Sequence, residues 1–346
     1  MSLGATLAQF LDSETTGRQI SGEVASILGY ISKASIELAQ TLSFSPPAEK
    51  TEDEPAPGAD GDLQRPTDIR AHKLFEAQLC NSPASTLVSE ELDGLKELNG
   101  GSSLCVAIDP LHGSANIETN MSIGTIFSII DIDRATPGDP IGAINSGQLR
   151  AAGFFVYGRQ NTLTLSCGNG VSIFSFNPAT SQFVLIKENV CIPQGQREFA
   201  INTSNYRNWD SSVRHFVDDC ISGRDGPLGA DYNMRWNASL VAEAYRILIR
   251  GGVFLYPGDS RQGYESGRLR FLYEAMPIAF VMEQAGGKAI DGYERILDRK
   301  VSSLHERIPL IFGSTDMVHQ AGEYFTSDPT KSTRFPLFAS RNLLRN

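Results

Sequence analysis

Apolar residues recur along this chain in two rhythms, and the switch between them outlines a layered protein. Ile20, Val24, Ile27, Leu28, Ile31, Ile36, Leu38 and Leu42 fall at mostly helical spacing, which predicts one or two amphipathic helices over 18–43. Ile69, Leu74 and Phe75 mark another helix over 67–78. Residues 45–66 lie between them and carry five prolines with Glu52, Asp53, Glu54, Asp60 and Asp62. That stretch is too polar and proline-rich to bury, so it reads as a long loop of the kind that serves as a linker or mobile lid.

The rhythm then shortens. Residues 87–88, 104–108, 123–130, 152–157, 162–166, 171–176 and 183–187 read as strands, the later ones separated by Gly, Asn and Pro turns in a meander. The second half restarts with a strand at 199–202, helices over 212–221 and 239–250, a strand at 253–256 and a helix over 271–285. Gly251-Gly252 and Gly286-Gly287 close the last two helices. No strong pattern follows Asp328. The order predicts an α/β chain, an α+β layered sandwich of helices and mixed sheets in two lobes. We place the N-terminal lobe at 1–195, the C-terminal lobe at 196–328 and a tail at 329–346.

At 346 residues the chain exceeds one ordinary core, which agrees with two lobes. A formal charge of −10 argues against nucleic acid or an anionic membrane as partner. A phosphorylated small molecule is still open to such a protein, through bound cations or locally placed arginines. Cys80, Cys105, Cys167, Cys191 and Cys220 are scattered with no C-x-x-C pair, which predicts reduced thiols and a cytoplasmic location. No apolar run is long enough to span a bilayer.

Four acids stand at element ends: Glu90 and Glu91 after one strand, Asp109 after the next, and Glu274 at a helix start. Each alone is an ordinary surface charge. Converging in the fold, they would form an oxygen-ligand site for Mg²⁺ or Mn²⁺. Asp109 opens Asp109-Pro110-Leu111-His112-Gly113-Ser114, where Gly113 and Ser114 are small enough for backbone N–H groups to approach an anion. Arg268 and Arg270 suit phosphate. His112 is the odd member, standing where a carboxylate would complete a magnesium site.

With those residues the chain resembles the class I fructose-1,6-bisphosphatases. The motifs are Ser89-Glu90-Glu91, Asp109-Pro110-Leu111-x-Gly113-Ser114-x-Asn116, Ser122-Ile123-Gly124-Thr125-Ile126-Phe127 and Arg268-Leu269-Arg270-x-Leu272-Tyr273-Glu274. Glu283 to Lys288, His305-Glu306-Arg307 and Gly313-Ser314 continue the match, so that it covers roughly residues 18 to 325. The resemblance implies a sugar-phosphatase fold, a homotetramer, and metal-dependent removal of the 1-phosphate from fructose 1,6-bisphosphate in gluconeogenesis or a Calvin-type cycle. It implies that Glu90, Glu91, Asp109, the Leu111 carbonyl, Glu274 and the residue at His112 hold Mg²⁺. Asp68 and Asp62 correspond to acids that assist the attacking water, alongside Glu91. Gly113, Ser114 and Arg270 would hold the 1-phosphate. Asn202, Tyr206, Tyr256 and Arg268 would hold the sugar and 6-phosphate, with Arg235 reaching a neighbouring subunit's site. Alternatives within this chemistry are sedoheptulose 1,7-bisphosphate as substrate, or a weak homologue that binds a sugar phosphate.

The departures from the pattern carry their own expectations. The family has Asp at 112, Ser at 115 and Asp at 118, where this chain has His112, Ala115 and Glu118. Histidine ligates only when neutral and favours Mn²⁺ or Zn²⁺ over Mg²⁺, so either the metal preference shifts or metal binding weakens. Trp236 and Asn237 replace a Tyr and a small apolar residue near the sugar. The family's AMP site uses a Lys-Tyr pair and an Arg, and the matching positions here are Ser103, Leu104 and Asp131. Asp131 would repel a phosphate, so activity is expected to be unaffected by micromolar AMP. Half-maximal inhibition in that range, in a phosphate-release assay, would refute this.

Overall fold

The computed structural model of the chain describes residues 2–44, 56–57, 63–132 and 139–326. The alternating strands form an eight-stranded sheet. Its order across is Gln182–Lys187, Ser172–Asn177, Thr162–Ser166, Gln148–Tyr157, Ile123–Asp131, Leu104–His112, Thr86–Ser89 and Lys96–Glu97. Neighbours are antiparallel except Thr86–Ser89 and Leu104–His112, which run parallel with Ser89 opposite Ile108. That one parallel pair sets Glu90, which follows Ser89, beside Asp109, which follows Ile108.

Period-two alternation gives the sheet two apolar faces. Phe127, Phe155 and Leu163 pack against the helices Leu7–Thr16, Gly22–Phe44 and Pro66–Leu79. Ile126, Phe154 and Ile173 face the helices Leu240–Arg250 and Met276–Gln284. A second sheet covers the far side of those two helices, in the order Asn233–Met234, Glu198–Ala200, Val253–Tyr256, Leu310–Gly313 and Lys288–Ile290. Its first three strands are parallel and its later pairings antiparallel. Val253 and Leu255 turn the other way and meet Val217 and Val318 of the helices Ser211–Ile221 and Thr315–Thr326. The outcome is five stacked layers, helix–sheet–helix–sheet–helix, as the α/β layered reading predicts.

Several elements depart from the sequence reading. The amphipathic stretch expected over 18–43 is one helix, Gly22–Phe44, within that expectation, but an unexpected helix at Leu7–Thr16 precedes it. Only Leu7, Phe10 and Leu11 of that short helix are buried, too few to show a period, although Thr6 and Gln9 form a capping box. Pro140–Ser146, Thr315–Thr326 and the short strands Lys288–Ile290 and Leu310–Gly313 were likewise not anticipated. The strand expected to stop at residue 108 runs on through His112, so Asp109 does not leave from a strand end. Asp109 pairs with Ile126 and His112 with Gly124, and Pro110 and Leu111 therefore stand opposite the single residue Thr125. This is a β-bulge, tolerated because Pro110 has no N–H to lose. Thr125 Oγ1 donates to the Pro110 carbonyl at 2.8 Å and lies 2.8 Å from the Tyr157 hydroxyl, which pins the bulge.

Of the expected loop, residues 45–55 and 58–62 lie outside the described residues, as does the tail 329–346. Between them Ala56–Pro57 pairs with Leu63–Gln64. No described helix is long and apolar enough to cross a membrane.

Gly124, across from His112, lies where a helix meets the sheet. A Cβ there would sit 2.1 Å from the Phe155 carbonyl oxygen and 2.8 Å from Val241 Cγ2. Gly124→Ala should therefore lower stability by about 1–3 kcal/mol in chemical denaturation. An unchanged denaturation midpoint would mean that both the neighbouring strand at Phe155 and helix Leu240–Arg250 give way around an added methyl group.

Candidate active site

Three segments meet at the end of the large sheet. Thr86–Ser89 leads directly into the turn carrying Glu90 and Glu91. The bulged strand presents Asp109, Leu111 and His112. The buried π-turn Phe271–Ala275, which runs on into Met276–Gln284, presents Glu274. Asp109 and Glu274 are 2% and 4% exposed. His112 Nδ1 lies 2.9 Å from Asp109 Oδ2 and 2.9 Å from Glu274 Oε1, a donor shared by two carboxylates. Asp109 Oδ1 accepts the Leu111 N–H at 3.1 Å. Candidate ligand atoms of Asp109, His112 and Glu274 all lie within 4.8 Å of one another.

The electrostatics follow from crowding like charges in a place with little water. Burial, then the charges of Asp109, Glu274 and Glu91, push the Glu90 carboxyl well above the usual carboxylate range. Burial also raises Asp109, with His112 opposing. For His112, burial favours the neutral form, but its hydrogen bonds to Asp109 and Glu274 and their charges outweigh it. Its pKa is pushed up to about 10, so the imidazole is cationic at neutral pH. Arg270 is buried with its Nε 3.8 Å from Glu90 Oε1, while its Nη1 donates to the His305 carbonyl at 3.3 Å. Burial and the neighbouring Arg307 lower the Arg270 pKa to about 10, which leaves it charged. The group still gathers four carboxyl groups, Glu90, Glu91, Asp109 and Glu274, around these two cationic side chains. Such an acidic group, with donors this close, can hold a divalent metal ion.

Asp68 approaches from the helix Pro66–Leu79. Its Oδ2 accepts the Arg65 N–H at 2.9 Å and so caps that helix, and its side chain is buried near Ser114 and Asp109. Burial raises its pKa, with the Arg65 N–H and Ser114 opposing. Gly113 has a φ of 79°, a left-handed turn that suits glycine and lets the chain reverse between His112 and Ser114. One turn along from Asp68, His72 Nδ1 lies 3.0 Å from Ser89 Oγ, supporting the residue that precedes Glu90. Sequence reasoning missed His72. Its helical i, i+4 spacing from Asp68 was the available signal.

Beside the acidic group, Asn202, Tyr256 and Arg268 line one pocket together with Asp259 and Arg261. The Trp236 ring stacks on Tyr256 at 6.1 Å and 1° and on Phe254 at 5.9 Å and 9°, so Trp236 supports the pocket wall as a flat aromatic face. Two expected residues are not drawn in. The Tyr206 hydroxyl donates to the Asp218 carboxylate at 2.9 Å, and Asn205 lines the pocket instead. Arg235 is half exposed, with its Nε 3.7 Å from Glu198 Oε1. Asp62 lies outside the described residues.

Two family models match the chain almost end to end. "Fructose-1-6-bisphosphatase, N-terminal domain" covers residues 6–188, and "Fructose-1-6-bisphosphatase, C-terminal domain" covers 192–326. A class 1 fructose-1,6-bisphosphatase of Rhodopseudomonas palustris is 49% identical over 346 residues, covering 100% of both chains. That of Sinorhizobium medicae is 45% identical over 347 residues, covering 99% of each. Among solved structures, Leishmania major fructose-1,6-bisphosphatase in holo form superposes with a TM-score of 0.85 at 28% identity, over 93% of this chain and 99% of that one.

The shared N–H of His112 has a measurable consequence for the metal-free protein. The folded-state pKa of about 10 lies above the ordinary value of 6.5. Its stabilising contribution is therefore complete below about pH 6.5 and lost as pH rises through about 10. In chelator-treated protein the urea midpoint should fall between pH 6.5 and 10, and His112→Gln should flatten that fall. Equal slopes in wild type and variant would refute the assignment.

Proposed function

This chain belongs to the class 1 fructose-1,6-bisphosphatase family, and from that premise we propose that it hydrolyses the 1-phosphate of fructose 1,6-bisphosphate, releasing fructose 6-phosphate and inorganic phosphate. The observation that carries the reading is the meeting of Glu90, Asp109, His112 and Glu274 beside Arg270, next to a pocket that presents Arg268 and Tyr256. A bisphosphate needs such a pair of sites: one to activate a phosphoryl group and one to hold the other end.

Hydrolysis of a phosphate monoester brings an anionic nucleophile to an anion, so catalysis is mostly positioning and charge stabilisation. Glu90, Glu91, Asp109, the Leu111 carbonyl, His112 and Glu274 are the groups that would hold metal. A bound divalent ion would neutralise phosphate charge and lower the pKa of the attacking water. Arg270, with the backbone at Gly113 and Ser114, would orient the 1-phosphate. Asp68 commits Oδ2 to its helix cap, so a proton taken from water would go to Oδ1. Its burial-raised pKa suits that role. We assign Asp62 and Glu91 as further acids at the water, and Asn202, Tyr256 and Arg268 as contacts to the sugar and 6-phosphate.

His112 sets the metal. His112 Nδ1 is a donor between two carboxylates, so ligation would first require the proton to leave, and a nitrogen donor would then favour Mn²⁺ over Mg²⁺. Five cysteines without a disulfide among them agree with a cytoplasmic enzyme. The half-exposed Arg235 agrees with a homo-oligomer in which it reaches a neighbour's site.

Phosphate release from fructose 1,6-bisphosphate, measured with Mg²⁺ and with Mn²⁺, tests the function and the metal together. Wild type should turn over faster with Mn²⁺. His112→Asp should move the Mn²⁺/Mg²⁺ activity ratio toward Mg²⁺ by about 10-fold or more. No release with any divalent ion, together with recovery in His112→Asp, would instead mark this chain as a binding homologue. Faster release from sedoheptulose 1,7-bisphosphate would reassign the substrate.

A further inference from the structure

One cation in the pocket beside the acidic group has no part in the reading above. Arg261 shares that pocket with Asn202, Tyr256 and Arg268. The Cζ atoms of Arg261 and Arg268 each lie 4.6 Å from the centroid of the Tyr264 ring. Two guanidinium groups thus converge on one aromatic ring, a contact that orients them without using their N–H donors. Asp259, 9% exposed, grips Arg261 from behind. Arg261 Nε donates to Asp259 Oδ1 at 2.9 Å and Nη2 donates to Oδ2 at 2.5 Å. Asp259 Oδ1 also accepts the Arg261 backbone N–H at 3.0 Å, an Asx turn.

The loop that carries these groups is tied down at several points. The Asp259 N–H donates to the Tyr264 carbonyl at 3.0 Å, the Tyr264 N–H to the Arg261 carbonyl at 2.9 Å, and the Ser260 N–H to the Asn208 carbonyl at 2.9 Å. Asp259 neutralises Arg261 but engages only Nε and Nη2, so Nη1 keeps two N–H donors outside the pair. Arg268 has no carboxylate within ion-pair distance among the described residues. The pocket is therefore net positive and holds spare guanidinium donors, next to a net negative catalytic group.

We propose that Arg261, aimed by Asp259 and Tyr264, is a specificity-determining residue that grips, with Arg268, the phosphate at the substrate end remote from the acidic group. The proposal rests on the sugar-bisphosphatase reading and deepens it. A planar guanidinium fork matches two phosphate oxygens, and a second one on Arg268 completes the neutralisation of a dianion. A sugar carrying only the 1-phosphate leaves both cations unmatched, so this pair selects bisphosphates. Asp259 is a positioning residue, since it acts only through Arg261.

The test compares wild type, Arg261→Gln, Arg261→Lys and Asp259→Asn on fructose 1,6-bisphosphate and on fructose 1-phosphate, with calorimetric titration of fructose 6-phosphate as a readout independent of turnover. Arg261→Gln should raise KM for the bisphosphate by about 10- to 100-fold with a much smaller change in kcat, and should weaken fructose 6-phosphate binding by a similar factor. The ratio of kcat/KM between the two substrates should fall accordingly. Arg261→Lys should recover part of the loss, and Asp259→Asn should give a smaller loss of the same kind. Unchanged KM and fructose 6-phosphate affinity in Arg261→Gln would overturn the proposal, as would equal losses on both substrates. Wild-type protein that releases no phosphate from the bisphosphate would overturn the underlying reading instead, and the fructose 6-phosphate titration would still decide the role of Arg261.

Discussion

Mutual repulsion among buried carboxylates is the constraint around which this molecule is organised. Asp109 and Glu274 are buried and Glu90 is partly buried beside them, and the three, from separate parts of the chain, are forced together with little solvent to screen them. A fold that buries such a group needs countercharge, and the chain supplies some of it itself. The His112 Nδ1 lies 2.9 Å from both Asp109 and Glu274, and Arg270 approaches Glu90 from the position just before the buried turn that carries Glu274. The remaining imbalance is what a divalent ion would relieve. His112 is thus both a support for the carboxylate cluster and an obstacle to metal loading, because the proton that stabilises the carboxylates occupies the lone pair a metal would use.

The layers exist to hold that group still. The large sheet is sandwiched between helix layers, so its central strands cannot shift without breaking packing on two faces. Within that sheet one bulge at Pro110-Leu111 turns Asp109 and His112 toward the same side, and Thr125 and Tyr157 fasten it. The π-turn Phe271–Ala275 brings Glu274 to His112. The cationic pocket is built at the end of the second-sheet strand Val253–Tyr256 and on the loop after it, which runs on through Arg268 to the turn that carries Glu274. Tyr256 feels the charges of both Arg268 and Glu274, which marks the seam between them.

Much of this was legible in the amino-acid sequence. Strands 123–130, 152–157 and 162–166 stood out because each is long, apolar and bounded by turn residues, and the structure keeps them within a few residues. The acids at 90, 91, 109 and 274 were legible because they interrupt apolar runs, which a surface charge has no reason to do. The four-residue strand Leu310–Gly313 and the helix Leu7–Thr16 were hidden, because a short element with few buried positions shows no period. The bulge was hidden too, since Pro110 inside an apolar run reads as a strand end until its partner strand is known.

The sequence alone determined the identities of the chemical groups and the alternation that stacks the layers, because both are local properties of residue order. It also determined that position 112 carries an imidazole. Only the tertiary structure decided that this imidazole lies between two carboxylates, that Tyr206 is held by Asp218, and that Arg261 joins Arg268 over Tyr264. Each of these depends on the distance and solvent exposure between groups far apart in the chain. Those are the quantities that govern charge and hydrogen bonding, and no local pattern encodes them.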